Sequence, residues 1–379
     1  MATSTPSIRQ HFARLPDPRV NRRRRHLLGD LLVIAVCAVV CGANNFPQVE
    51  AFARRRREWL AGFLTLPNGV PSHDTFERVF QRLDPDAFQR CFLGWLRQMH
   101  AQVGGEHFAI DGKTLRRSGS PASGLGPLHL VSVWATQANL SLGCVAVDEK
   151  SNEITAIPKL LELLDLHGAL VTIDAMGCQK KVARQVTEAG GDYLLTVKDN
   201  QPHLLEDVLS CFVRAIESDF QGVEHDAYQT EERGHGRYEV RSYEVIYDPE
   251  GIRGEKEWAG LCVIGHCYSE RTEGGKTTYE DRYFIGSRRA TARQYGGWLR
   301  GHWRVENCLH WQLDVTFRED DSRIRDRNSA QNFALLRRAA LGLLKSHPAK
   351  GSIATKRFSA ALDEHFLEEV VCGAILGKL

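Results

Sequence analysis

No C-x-x-C pair occurs among the ten cysteines of this 379-residue chain. The closest spacings, Cys37/Cys41 and Cys262/Cys267, have no second pair at zinc-site distance. Several thiols sit inside apolar runs such as VIAVCAVVC and AGLCVIG, so they read as buried thiols in a reducing cytosol rather than zinc ligands or disulfides. An early apolar segment is missing too: the first 26 residues are polar and Arg-rich, unlike a secretory leader. The one membrane suspect, 27–40, is short against the ~20 residues of a span and carries Asp30, which fits a buried helix. Internal repeats and low-complexity tracts are lacking, which excludes solenoids and arrays. Nor does charge of one sign dominate, since the net charge is +2. A cytoplasmic globular protein of two or three domains, with no membrane partner, is expected.

What charge there is lies unevenly. Residues 1–100 carry 15 arginines against 8 acidic residues, so the remainder is mildly acidic. A basic front end on an acidic body suggests a polyanion-binding module joined to something that uses carboxylates; a solvated basic face is the plain alternative. Residues 1–26 form a basic lead-in, LPDPRVNRRRRH, that sets Arg22, Arg23, Arg24 and Arg25 in one run. Residues 27–100 then read as helices: HLLGDLLVIAVCAVV, FPQVEAFARRRREWLAGFL, SHDTFERVFQRL and DPDAFQRCFLGWLRQMH. Ser72 is placed to cap the third, with Phe76, Val79, Phe80 and Leu83 as its apolar face. The short link TLPNGVP makes a helix–turn–helix-like pair of the second and third. Arg54, Arg55, Arg56 and Arg57 fall on the first of that pair, Arg78 and Arg82 on the second, as candidates for DNA contact.

From residue 105 the hydrophobic period shortens. HFAID, LHLVSVWATQ, LSLGCVAVDEK, ALVTIDAMGC and DYLLTVKDNQ read as strands, the second and third joined at a polar Ala138–Asn139 turn into a hairpin. TAIPKLLELLDL and KKVARQVTEAG read as helices on either side of the fourth strand. Three strands, helix, strand, helix, strand is the order of the RNase H fold. Residues 221–290 break the alternation with three β-like runs, after which helices return. The expected fold is α/β: an RNase H-like catalytic core over 105–345 with a β-rich insertion at about 221–290, an all-helical N-terminal domain over 27–100, and a helical tail over 346–379.

FAIDGKT and VTIDAMG each put one aspartate, Asp111 and Asp174, after an apolar strand, and those strands are neighbours in that fold. Such an Asp can also simply form a turn. Two-metal phosphoryl transfer needs carboxylates converging from different elements, because two cations about 4 Å apart must be bridged and neutralised. A third carboxylate is expected on a helix near the end of the core, where HWRVENCLHWQLDVTFRED offers Glu306, with Asp314 eight residues on as the alternative. The plain alternative for Glu306 is an exposed helix carboxylate near Arg304. Lys113, Arg116 and Arg117 past the first Asp, Lys198 with Asn200 and Gln201 past the fifth strand, Arg304, and Arg323 and Arg325 are candidates for phosphate contact, against the plain reading of solvated polar turns. His235, Arg237 and Arg241 offer the insertion a place at a DNA end, while Trp134, Trp298, Trp303 and Trp311 read as core.

The runs DGKTLRRS, EKSNEITAIPKLLELLDLHGALVTIDAMGCQ, YLLTVKDNQP and HWRVENCLHWQLDVTFREDDSRIR resemble the insertion-sequence transposases of the H-repeat-associated-protein group. LPDPRVNRRRRH, CGANNF and LPNGVPSHDTFERVFQRLDPDAF resemble the helical domain that precedes the catalytic domain in that group, so the likeness spans residues 10–345. It implies cut-and-paste DNA transposition of the DDE type, with Asp111, Asp174 and Glu306 at the D, D and E positions. Two Mg²⁺ ions per site, replaceable by Mn²⁺, would suit such all-oxygen ligands. Hydrolysis at the element's end would free a 3′-OH that attacks target DNA in line, without a covalent protein–DNA link, since no nucleophilic Ser or Tyr motif is apparent. The implied partners are double-stranded DNA (terminal inverted repeats and target) and at least one further copy of the chain, in the nucleoid. One departure stands out: the wider superfamily's Y-x2-R-x3-E-x6-K spacing is absent, its places held by Leu299, His302 and Leu313. The competing readings are an inactive or domesticated DNA-binding copy and a stand-alone RNase H-like nuclease.

Overall fold

The computed structural model describes residues 11–99, 107–120, 122, 124–147, 153–234 and 236–375. Helices lead: α1 (Leu28–Val40), α2 (Phe46–Arg55), α3 (Arg57–Ala61), α4 (His73–Arg82) and α5 (Pro85–Met99). Then come β1 (His107–Leu115), β2 (Leu128–Ala135), β3 (Leu140–Ala146), α6 (Glu153–Leu161), β4 (Leu170–Ile173), α7 (Lys180–Glu188), β5 (Asp192–Val197) and α8 (Pro202–Glu217). The insertion comprises β6 (His225–Gly234), β7 (Arg237–Tyr247), β8 (Val263–Glu273) and β9 (Lys276–Gly286). There follow α9 (Ala292–Val305), π-helical segments at Glu306–His310 and Gln312–Thr316, α10 (Arg327–Ser346), α11 (Ile353–Leu362) and α12 (Glu364–Ile375). Two compact units are interleaved along the sequence: Met1–Val103, Gly112–Lys150 and Glu306–Leu379 make one, Gly104–Asp111 and Ser151–Val305 the other.

In the first unit α10 is the spine, packed on α1, α4, α5 and β3. α1 is apolar on every side and buried from Asp30 to Val40; Asp30 accepts the Leu66 amide at 3.0 Å, which satisfies one of its oxygens. No helix among the described residues is long and apolar enough to cross a membrane. α4 buries Phe76, Val79 and Phe80, with Leu83 just beyond it, the face its 3–4 spacing predicts. Phe46 sits between Phe80 and Phe333, and the Asn332 amide on α10 donates to the Phe80 and Leu83 carbonyls at 3.0 and 2.9 Å, ending α4 against α10. Where one helix is expected over residues 46–64, the backbone breaks at Arg56, whose guanidinium reaches Glu364 at 2.5 Å and the Ala361 carbonyl at 2.9 Å. β2 and β3 form the expected hairpin, with Asn139 at φ +58° supplying the left-handed turn residue.

In the second unit the strand order is β1-β4-β5-β9-β8-β7-β6, parallel across β1, β4 and β5 and antiparallel from β5 outward. The later half of β1 belongs to the first unit, where the order is β3-β2-β1. Those are the strand neighbours of an RNase H-like core. All four residues of β4 are buried, as a parallel strand with neighbours on both sides requires. The insertion has four strands where three were expected. β6, HDAYQTEERG, is the outer edge; it alternates half-buried and exposed positions with hardly an apolar side chain, so hydrophobic patterning passes over it. Tyr243, Val245, Val263 and Phe284 of the insertion share a core with Tyr295 and Leu299 of α9.

Candidate active site

The two aspartates stand side by side. β1 and β4 pair in parallel, with strands spaced about 4.8 Å apart, and Ile110 opposite Ile173 is the last pair of that ladder; Asp111 and Asp174 are the residues that come next on each. Both are half-buried. Asp174 directly follows β4 and caps the next 3-10 turn, Ala175–Gly177, by accepting the Met176 amide at 3.2 Å. The turn must lie close to α6: a Cβ on Gly177 would fall 2.2 Å from Ile173 and 3.0 Å from Ile157. Burial, and then the carboxylate of Glu153 at the start of α6, push the Asp174 acid above its ordinary value; the Gly177 and Met176 amides and the Lys198 ammonium only partly offset this. Glu153 is a neighbour that the sequence pattern did not single out, because a first-turn glutamate is ordinary helix chemistry.

Lys198, exposed after β5, is thus close enough to act on Asp174. Asn200, exposed, and Gln201, half-buried, both bond back onto the chain. Their amides donate to the Ala175 carbonyl at 2.6 Å and the Cys178 carbonyl at 2.8 Å, clamping the turn that follows Asp174. Two hard oxygen donors presented together, one of them poorly compensated, suit a divalent cation. Among the described residues no group of three or more His, Cys, Asp or Glu side chains is gathered at metal-holding distance, so the pair rather than a full cage is what the fold assembles.

Behind the pair lies a buried polar chain. Thr172 Oγ1 on β4 is 2.8 Å from His107 Nε2 on β1 and 3.0 Å from His302 Nδ1 on α9. Burial holds both imidazoles neutral, His107 down to about 3 and His302 down to about 4.

In the first unit the two candidates for the third carboxylate differ sharply. Glu306 is exposed and opens the first π-helical segment. Asp314 pairs with Lys113 at 2.6 Å, and Lys113 also meets Asp320 at 2.9 Å and Glu319 at 3.7 Å. Burial works against the Lys113 charge, but Glu319, Asp314 and Asp320 outweigh it and hold the ammonium protonated. Glu319, fully buried, is held in turn by Arg338 at 3.0 Å. Lys113 is therefore engaged inside the protein, not presented to solvent. Arg116 and Arg117 are exposed and pair with Asp320 at 3.2 Å and Asp321 at 3.3 Å.

The other cations divide the same way. Arg22, Arg25, Arg78 and Arg82 line one cleft of about 740 Å³ together with Arg19 and His26. Arg24 is tied to Asp17 at 3.5 Å and to the Arg19 carbonyl at 2.8 Å; the Arg23 side chain lies outside the described residues. Arg54 pairs with Glu50, Arg56 is committed to Glu364, and Arg55 and Arg57 are exposed. Arg323 and Arg325 are exposed and line a second cleft, of about 600 Å³, and Arg304 is exposed in the second unit. In the insertion, Arg241 is held by Glu239 at 2.6 Å, Arg237 is exposed, and His235 lies outside the described residues. Trp134 is core, whereas Trp311 is 52% exposed, against the reading of all four tryptophans as core.

Residues 9–96 match the family described as DDE_Tnp_1-associated, and residues 103–343 match the Transposase DDE domain. The chain is 37% identical over 378 residues to the "H repeat-associated putative transposase YhhI" of Escherichia coli (strain K12), across 97% of this chain and 98% of that one. It is 42% identical over 295 residues to the "Uncharacterized protein in dhlA 3'region" of Xanthobacter autotrophicus, across 76% of this chain and 97% of that one. Matches of this extent, running through the helices before β1 and through both aspartate-bearing strands, leave one reading of descent: the chain belongs to the DDE transposases, in the H-repeat-associated group.

Proposed function

We propose that this transposase cuts DNA at the ends of an insertion sequence and joins the freed strand to target DNA, using Asp111, Asp174 and Glu306 as metal-binding carboxylates. The observation that carries the reading is that Asp111 and Asp174 each follow directly on Ile110 and Ile173, the last paired residues of two adjacent parallel strands. Glu306 is preferred to Asp314 because Asp314 is already ion-paired with Lys113 inside the protein, while Glu306 is exposed and outside the ion pairs found among the described residues. It also opens a π-helical segment, a distortion that recurs at functional sites. Bound divalent ions, Mg²⁺ or Mn²⁺ and two per site, supply activation of the attacking oxygen and charge stabilisation at the leaving one. Water attacks the phosphodiester first, breaking its P–O3′ bond and leaving a 5′-phosphate; the 3′-OH so freed then attacks a target phosphodiester and displaces the target strand's own 3′-oxygen. Lys198 offers positive charge to a backbone phosphate beside Asp174, and Asn200 and Gln201 keep the Asp174 turn in place.

Residues 27–100, with the basic lead-in 1–26, serve as the DNA-binding domain. Phosphates of the terminal inverted repeat run through the Arg22/Arg25/Arg78/Arg82 cleft, and Arg55, Arg57, Arg116, Arg117, Arg304, Arg323 and Arg325 add further contacts. Pairing two DNA ends calls for at least two copies in the active complex. The test is nicking of a plasmid bearing the element's own ends, comparing wild type with Asp111→Asn, Asp174→Asn, Glu306→Gln and Asp314→Asn. Nicking that requires Mg²⁺ or Mn²⁺, is lost in the first three and survives in the fourth supports the assignment. A wild type that binds the ends yet never cuts them makes this an inactive, DNA-binding copy instead.

A further inference from the structure

Side chains alternate along a strand, so His107 and Asp111 share one face of β1, and Thr172 and Asp174 share the matching face of β4. The face that carries the two aspartates at its end is therefore floored by a histidine and a threonine, and α9 lies on that floor through His302. Contact is close. A Cβ on Gly301 would come within 2.8 Å of the His107 ring, so glycine at 301 lets the helix settle onto β1. His107, Thr172 and His302 are all nearly inaccessible, and His302 Nε2 is buried without a hydrogen-bond partner among the described residues.

A hydroxyl has one proton and each neutral imidazole has one. Thr172 therefore donates to one ring and accepts from the other, or accepts from both while facing the Phe108 carbonyl at 3.5 Å. In each arrangement a single directional chain links β1, β4 and α9. Leucine at 302 would fill the space without desolvating a ring nitrogen that finds no partner. What polar groups add over apolar packing is direction: they fix the rotation and height of α9 on β1, which carries Asp111, and on β4, which Asp174 follows. His302 also holds the place where the wider superfamily spacing has an arginine, and here the side chain faces the strands rather than solvent.

We propose that His302, acting through Thr172 and His107, is a positioning residue that sets the geometry of the Asp111/Asp174 pair for divalent-cation binding. This rests on the carboxylate reading above. The test measures binding of Mn²⁺ to the full chain by the electron paramagnetic resonance of free Mn²⁺, alongside thermal melting. Groups that orient metal ligands at one remove change affinity about 10–100-fold when removed. His302→Leu and the near-isosteric Thr172→Val should thus weaken Mn²⁺ binding roughly tenfold or more while still melting cooperatively. His302→Asn, whose amide can keep the bond to Thr172, should stay close to wild type. If His302→Leu and Thr172→Val bind Mn²⁺ as tightly as wild type, the positioning role is overturned and the carboxylate assignment stands. Loss of cooperative melting in all three variants also overturns it, leaving the trio a purely structural part of the core. Mn²⁺ binding that ignores Asp111→Asn and Asp174→Asn removes the carboxylate reading and this proposal together.

Discussion

Burial gives His107 and His302 a pH signature. Their folded values, about 3 and about 4, lie below the ordinary 6.5, so each contributes stability that is present above pH 6.5 and is lost as pH falls towards the folded value. Between pH 7.5 and 5 the loss is on the order of 2 kcal/mol per imidazole. Urea unfolding at those two pH values should record a fall of about 4 kcal/mol from the two rings in wild type and about half that in His302→Asn, whose amide does not titrate. Equal falls in both would mean that His302 is not buried as a neutral ring. At this scale the sequence was legible where chemistry is one-sided. An aspartate after an apolar strand stands out; a lysine after it does not declare whether it faces phosphate or protein. Lys113 turned out to face Asp314, Glu319 and Asp320, partners two hundred residues away.

Among elements, the run Arg54–Arg57 reads as one basic helical face but is divided by the break at Arg56. Arg56 spends its guanidinium on Glu364 and Ala361, while Arg57 is exposed. Arg56→Ala should therefore lower stability by about 1–2 kcal/mol with little change in DNA affinity, because it strips a charged partner from a carbonyl and a carboxylate. Arg57→Ala should do the reverse. Melting curves and DNA-binding isotherms on the same two proteins decide it; matched effects from both substitutions would restore a single basic face. Helices and strands with a clear apolar period, such as α1, α4 and β4, were readable because each buries a side that repeats. β6 was not, since this edge strand fills even its half-buried face mostly with polar side chains, and the break at Arg56 accompanies a contact made 308 residues later.

For the whole molecule, the proposed DNA cleft makes an electrostatic prediction. Replacing Arg22, Arg25, Arg78 and Arg82 together with alanine should weaken binding of end DNA by about 10- to 100-fold near 0.1 M salt. The slope of log affinity against log salt should flatten by up to about 3–4, since each phosphate contact contributes roughly 0.9. Fluorescence anisotropy over a salt series measures both, and an unchanged slope would move the DNA elsewhere. The adjacency of β1 and β4 was expected from the sequence, whereas the interleaving of the two units was not, because no local pattern announces that α1 and α4 are covered by α10. That arrangement has a consequence for how the protein comes into being. α4 leaves the ribosome at residue 82, but α10 begins only at 327. At ~5–20 residues per second the early helices wait roughly ten seconds to a minute for their lid. The part proposed to read DNA is thus the first to be translated and among the last to mature. A gene copy that has lost its 3′ end forfeits the recognition helices as well, although every codon for them is still there.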